Sequence, residues 1–150
     1  MPVIKKSLHS DLSAWILIFL WVYAASSKLF IYEGFRFQLL GHKLLANHAW
    51  TIAWLIPTVE ILIALLLVIP KTRIGGLYAS LSLLLLFTMY IIYMFMFYPY
   101  KPCSCGGVIS KLTWKQHILF NLFFLLLAVA GIIGHRKTGL RKPSFPIVST

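Results

Sequence analysis

The sequence predicts an all-α membrane protein: an antiparallel four-transmembrane-helix bundle with a short interfacial helix between spans one and two. Three observations predict it. Of the 150 residues, 60% are hydrophobic and 11% charged, against roughly 45–50% and about a quarter in soluble domains. The apolar residues gather in four stretches, about 12–30, 49–69, 74–97 and 117–134. Each is long enough for a helix to cross about 30 Å of hydrocarbon. The run 62–69 is apolar without interruption, whereas the strands of a membrane barrel alternate in polarity over about ten residues.

The same composition excludes two other classes. A disordered chain cannot leave this much apolar surface in water. A soluble globule of this length cannot hide it. The expected organisation is one membrane domain over residues 1–135 and a basic cytoplasmic tail over 136–150.

Span one follows Lys5 and Lys6 and contains Ala24-Ala25-Ser26-Ser27. A basic start and small residues also describe a secretory leader. The apolar character resumes at Leu29-Phe30, and small residues suit close helix packing, so the stretch reads as a retained span. In the link 32–48, Phe35, Leu39, Leu40, Leu44 and Leu45 fall near helical spacing, with Arg36, Gln38 and Lys43 between them. That pattern suits a helix lying in the membrane interface; a loop packed on the bundle is the other reading.

Span two contains Pro57, which removes a backbone donor and predicts a kink. Lys71-Thr72-Arg73 is a tight turn, so spans two and three are antiparallel neighbours. Gly75-Gly76 opens span three, and Tyr90, Tyr93, Phe95 and Phe97 crowd its far end, partly as an interfacial aromatic belt. Asn121 lies about one turn into span four and is expected to hydrogen-bond across helices. The tail after Gly134, with Pro143 and Pro146, reads as disordered.

The net charge is +11, with 14 Lys and Arg against Asp11, Glu33 and Glu60. In a soluble protein this would suggest nucleic acid. Here the cations sit in short loops and tails, where they set orientation, and no nucleic-acid partner is expected. Lys5, Lys6, Lys71, Arg73, Arg136, Lys137, Arg141 and Lys142 fall on one side of the membrane. Arg36, Lys43, Lys101, Lys111 and Lys115 fall on the other, and Lys28 lies inside span one. The bias places both termini in the cytoplasm, and the tail 136–142 would meet anionic lipid. The segment 98–116 then faces the periplasmic side of a bacterial inner membrane. It carries both cysteines of the chain, Cys103 and Cys105, into an oxidising compartment.

Pro102-Cys103-Ser104-Cys105-Gly106-Gly107 is the segment richest in chemistry. Two cysteines one residue apart close only a small, strained loop, so their disulfide should exchange easily. Lys101, Lys111, Lys115 and His117 are positive or titratable neighbours that favour thiolate, and His117 is the candidate proton acceptor. A static disulfide, incidental reduced thiols and a metal shared between protomers are the competing readings. Two sulfurs alone do not complete a tetrahedral zinc site.

Glu60 sits about eleven residues into span two, roughly 16 Å deep. A carboxylate at that depth is a functional candidate. Lys28, nearer the outer face, can reach inward to Glu60 or snorkel to water. The pair reads either as a polar contact that stabilises the bundle or as a contact for a proton or a quinone head.

Ala24-Ala25-Ser26-Ser27-Lys28-Leu29, then Gly34-Phe35, Pro57-Thr58-Val59-Glu60, Cys103-Ser104-Cys105-Gly106 and Asn121 follow one another in an order that resembles the MauE branch of the MauE/DoxX group of small four-helix membrane proteins. The resemblance covers span one through span four. The family pattern at the cysteines is Cys-x-Cys-Phe-Gly, and this chain has Gly106 in place of the Phe. The resemblance implies a redox-associated membrane protein. MauE is linked to maturation of a disulfide-rich enzyme subunit alongside a thioredoxin-like partner, and DoxX relatives to quinone-coupled sulfur oxidation.

The expected function is therefore a membrane-embedded thiol–disulfide oxidoreductase. Its CxC segment would exchange disulfides with a thioredoxin-like or secreted partner, within a membrane protein complex or alone. The catalytic candidates are Cys103, Cys105 and His117; Lys28 and Glu60 are the candidates for a quinone cofactor. The alternative is a non-enzymatic accessory or assembly subunit whose Cys103–Cys105 pair is structural.

Overall fold

The computed structural model describes residues 2–41, 45–97 and 114–139. Five α-helices cover almost all of them: α1 (Pro2–Phe30), α2 (Tyr32–Leu40), α3 (Ala49–Val68), α4 (Arg73–Phe97) and α5 (Trp114–Gly139). A short 3-10 turn, Ala46–His48, leads into α3. No strand occurs among the described residues. Four of the helices are long and apolar enough to cross a membrane: Asp11–Phe30, Ala46–Val68, Arg73–Tyr93 and Gln116–Arg136. Helices are the form that meets this demand, because hydrocarbon offers backbone N–H and C=O groups no other partner.

The four spans pack as an up-down-up-down ring. Helix α1 contacts α3 and α5, α4 contacts the same two helices, and α1 and α4 face each other across the diagonal. The shared core is Leu17 and Trp21 of α1, Ile63 and Leu67 of α3, Leu77 and Leu84 of α4, and Phe124 and Ala128 of α5. Large apolar side chains also cover the outside: Phe19 is 75% exposed and Met89 67%. Such surface is a liability in water and the expected finish of a lipid-facing wall. The bundle is a multi-pass membrane fold.

One end of the ring is closed by the α3–α4 turn. Pro70 forces the preceding residue away from helical geometry, and Ile69 is extended, with ψ of 117°, so α3 stops at Val68. The Thr72 hydroxyl donates to the Leu66 carbonyl at 2.9 Å, and Arg73 Nε to the Leu67 carbonyl at 3.2 Å. These bonds satisfy acceptors that the helix end leaves open. Arg73 also pairs with Asp11 of α1. The turn permits a close helix pair because position 76 is glycine: a Cβ there would lie 3.0 Å from the Leu67 backbone nitrogen.

The opposite end carries α2, which is the interfacial helix the spacing predicts. Its apolar side chains Phe35 and Leu39 are buried against Ala49 and Ala53 of α3. Tyr32 packs on Trp54, ring centroids 5.2 Å apart. Arg36 lies over the Trp50 ring at 5.7 Å and reaches Glu33 at 3.4 Å. The polar side of α2 is thereby kept outward.

Helix α3 is continuous through Pro57, which is buried, and the adjacent Thr58 hydroxyl donates to the Trp54 carbonyl at 2.8 Å. One sequence expectation changes: the residues just after Gly134, expected to be disordered, are helical, and α5 continues to Gly139. Arg136 lies near that end, where a cation favours the negative pole of a helix. The remainder of the basic tail, and Cys103 and Cys105, lie outside the described residues.

Candidate functional site

The two charged residues singled out inside the spans meet. Lys28 Nζ donates to Glu60 Oε1 at 2.8 Å, joining α1 to α3 across 32 sequence positions. The Glu60 side chain has no solvent exposure and that of Lys28 has 16%, so the ammonium turns inward. Lys28 Nζ also donates to the Ala24 carbonyl one turn back, at 3.3 Å. Phe35 of α2 and Phe87 of α4 stand around it, with ring centroids at 6.0 and 5.8 Å, and their faces favour a cation. An ammonium with these partners has little need of water.

The carboxylate is less completely served. Glu60 Oε2 is buried and has no hydrogen-bond partner. A buried acceptor left open is unfavourable by about 1–3 kcal/mol, and more when it carries charge. It therefore marks a place where a further group would be welcome.

Glu60 and Lys28 lie on the wall of a cavity of about 380 Å³ at the α2 end of the bundle, with sides formed by all five helices. That volume is within the range of small-molecule sites. Its lining is mainly apolar, with Trp21, Phe35, Phe87, Tyr90 and Phe120 among the aromatic side chains. Besides the ion pair, Ser27, His117 and Asn121 are polar residues of its lining. Asn121 Nδ2 donates to the Thr88 hydroxyl at 3.4 Å, the cross-helix bond expected of it. Below the cavity, Trp21 Nε1 donates to Ser80 Oγ at 2.9 Å in the core, which fixes the indole against α4.

The structure thus brings together three of the five residues named from sequence: Lys28, Glu60 and His117. His117 stands half-buried on the cavity wall, one turn before Asn121. Cys103 and Cys105 belong to the connection between α4 and α5. That connection leaves α4 at Phe97 and enters α5 at Trp114, both at the cavity end of the ring.

Sequence reasoning missed the aromatic sides of the site. Phe35 reads as part of an amphipathic pattern and of the family resemblance, not as a partner of Lys28, and Phe87 is one apolar residue in a long run. No spacing distinguishes a phenyl ring that faces an ammonium from one that faces lipid. The Trp21–Ser80 bond was also unmarked, although a serine within an apolar span invites a search for its partner.

A family model described as methylamine utilisation protein MauE matches residues 6–134. That range takes in all four spans and the cavity. No curated protein matches the chain, and no solved structure does.

Proposed function

This chain belongs to the MauE family, and on that premise we propose that it is a membrane-embedded thiol–disulfide exchange protein acting through Cys103 and Cys105. The family description points to an accessory role in methylamine utilisation. The exchange reading adds the chemistry by which such a protein would serve a disulfide-bearing partner. The observation that carries it is the Cys103-Ser104-Cys105 segment. These are the only two cysteines of the chain, and they lie on the connection that joins the cavity-end termini of α4 and α5.

The proposed step is a thiol–disulfide exchange. One cysteine thiolate attacks a sulfur of the partner's disulfide, and the partner's other sulfur leaves as thiolate. The second cysteine then attacks the mixed disulfide. The partner is released as a dithiol, and Cys103–Cys105 is left oxidised. Run in reverse, the same two steps oxidise the partner. His117 is the residue proposed to take the attacking thiol's proton. With one cysteine pair, electrons enter and leave on the same side of the membrane, so a thioredoxin-like protein is the fitting second partner.

We place this chemistry in the periplasm of a bacterium, with both chain termini in the cytoplasm. The support is the distribution of Lys and Arg, eight on the terminal side against five on the other. The basic tail then lies beside anionic lipid of the cytoplasmic leaflet.

Trapping tests the exchange. A Cys105→Ser variant should accumulate a mixed-disulfide adduct, seen on a non-reducing gel and released by reductant. If neither single serine variant traps a partner and both retain the cellular phenotype, exchange is excluded. The Cys103–Cys105 pair is then a structural clip in an accessory subunit.

A further inference from the structure

We propose that the cavity at the α2 end binds a neutral, hydroxyl-bearing ring of the phenol and hydroquinone class, recognised by Glu60 and Lys28 together. The binding is separate from exchange at the cysteines and does not depend on it.

Two independent observations point to a ligand: a cavity of about 380 Å³ with Glu60 among its lining residues, and a buried oxygen of that carboxylate, Oε2, with no hydrogen-bond partner. That oxygen needs a donor. Lys28 Nζ lies 2.8 Å from the other oxygen of the same carboxylate, and two of its three N–H groups go to Glu60 and Ala24. A group set between them meets an acceptor and an ammonium side by side. A hydroxyl answers both, since it donates one hydrogen bond and accepts others. A carbonyl offers no donor to Oε2. An ammonium is repelled by Lys28 and offers Lys28 nothing in return.

Charge narrows the ligand further. Lys28 and Glu60 neutralise each other, and the rest of the lining is mainly apolar. A net charge brought into such a space stays uncompensated, so the ligand is neutral. The walls select its body. Phe35 and Phe87 flank the ammonium at 6.0 and 5.8 Å, and Trp21 and Phe120 extend the aromatic lining. Rings pack against rings edge-to-face or offset with a gain beyond area alone. A membrane-borne molecule of this kind can arrive through the hydrocarbon.

The proposal separates two oxidation states of one ring. A hydroquinone carries the hydroxyl that Glu60 Oε2 lacks; the corresponding quinone carries only carbonyls. The site should hold the reduced form more tightly.

The test uses the full chain in lipid nanodiscs under argon. Its probes are trimethylhydroquinone, its dimethyl ether and trimethylbenzoquinone, with binding read by equilibrium dialysis. The hydroquinone should bind at least about tenfold more tightly than the ether or the quinone, the worth of one hydrogen bond to a charged group. The preference should survive in the Cys103→Ser/Cys105→Ser protein and vanish in Lys28→Met/Glu60→Leu. Equal binding of hydroquinone and ether would show a greasy hole that accepts lipid or detergent without reading a head group, and would overturn the proposal. So would no binding of any probe, or a preference that persists without the ion pair. The comparison of probes on the native chain needs no variant, so it decides the matter even if the double variant fails to fold.

Discussion

Lys28 and Glu60 are held 2.8 Å apart at the contact of α1 with α3, and this bond explains how the chain tolerates two charges inside its spans. Each alone in hydrocarbon is unfavourable by several kcal/mol. Together they are neutral, and the ammonium is further held by the Ala24 carbonyl and two phenyl rings. The three acidic residues of the sequence all have cationic partners: Asp11 with Arg73, Glu33 with Arg36 and Glu60 with Lys28.

The first prediction concerns that pair. Glu60→Leu alone strands the Lys28 ammonium, and Lys28→Met alone strands the Glu60 carboxylate. Either should destabilise the bundle by about 3 kcal/mol or more. The double variant Lys28→Met/Glu60→Leu removes both charges at similar volume and should unfold close to the native temperature. Thermal unfolding in detergent micelles checks the order. A double variant less stable than both single variants would refute it.

The second concerns the core at Trp21. Ser80→Ala leaves the buried Trp21 N–H without its acceptor and should cost about 1–3 kcal/mol. Adding Trp21→Phe removes the orphaned donor but opens space, so it should not restore full stability. The two unfolding midpoints, taken with that of Trp21→Phe alone, give the coupling energy.

A third sets two adjacent glycines against each other. A Cβ on Gly75 meets nothing within 4 Å, whereas one on Gly76 meets the Leu67 backbone and side chain at 3.0 Å. Gly75→Ala should stabilise α4 by roughly 0.5–1 kcal/mol through helix propensity. Gly76→Ala should destabilise by about 1–3 kcal/mol, because a helix backbone cannot yield there alone. Equal midpoints for the two variants would contradict the close α3–α4 approach.

The fourth addresses the side of the membrane. After mild reduction of intact cells, a membrane-impermeant maleimide should label Cys103 and Cys105 without permeabilisation. A cysteine introduced at Ser149 in the Cys103→Ser/Cys105→Ser protein should label only after permeabilisation. The reverse pattern would place the CxC segment in the cytoplasm and remove its oxidising surroundings.

Several parts of this protein were legible residue by residue. Spans two and three end and begin where Pro70 and the Lys71-Thr72-Arg73 turn require, since a proline restricts its predecessor wherever it stands. Phe35 and Leu39 fall on one face of a short helix by spacing alone. Glu60 and Lys28 were marked as candidates by depth, because ionised groups are rare in apolar spans. The extension of α5 to Gly139 was less legible: Gly134 looks like a helix stop, yet the backbone continues through it into a basic last turn.

By itself the sequence determined that four segments are long and apolar enough to cross a bilayer, where they turn, and that two charges inside them need an answer. These depend on transfer of each segment from water to hydrocarbon, a sum over local residues. The tertiary structure decided that Lys28 turns inward to Glu60 rather than outward to water. It also decided that Phe35, Phe87 and His117 gather around the pair, and that one oxygen of the Glu60 carboxylate is buried without a hydrogen-bond partner. Those outcomes depend on how each helix is rotated and how closely it approaches its neighbours. Rotation and approach are set by packing between residues distant in the chain, which no local pattern records.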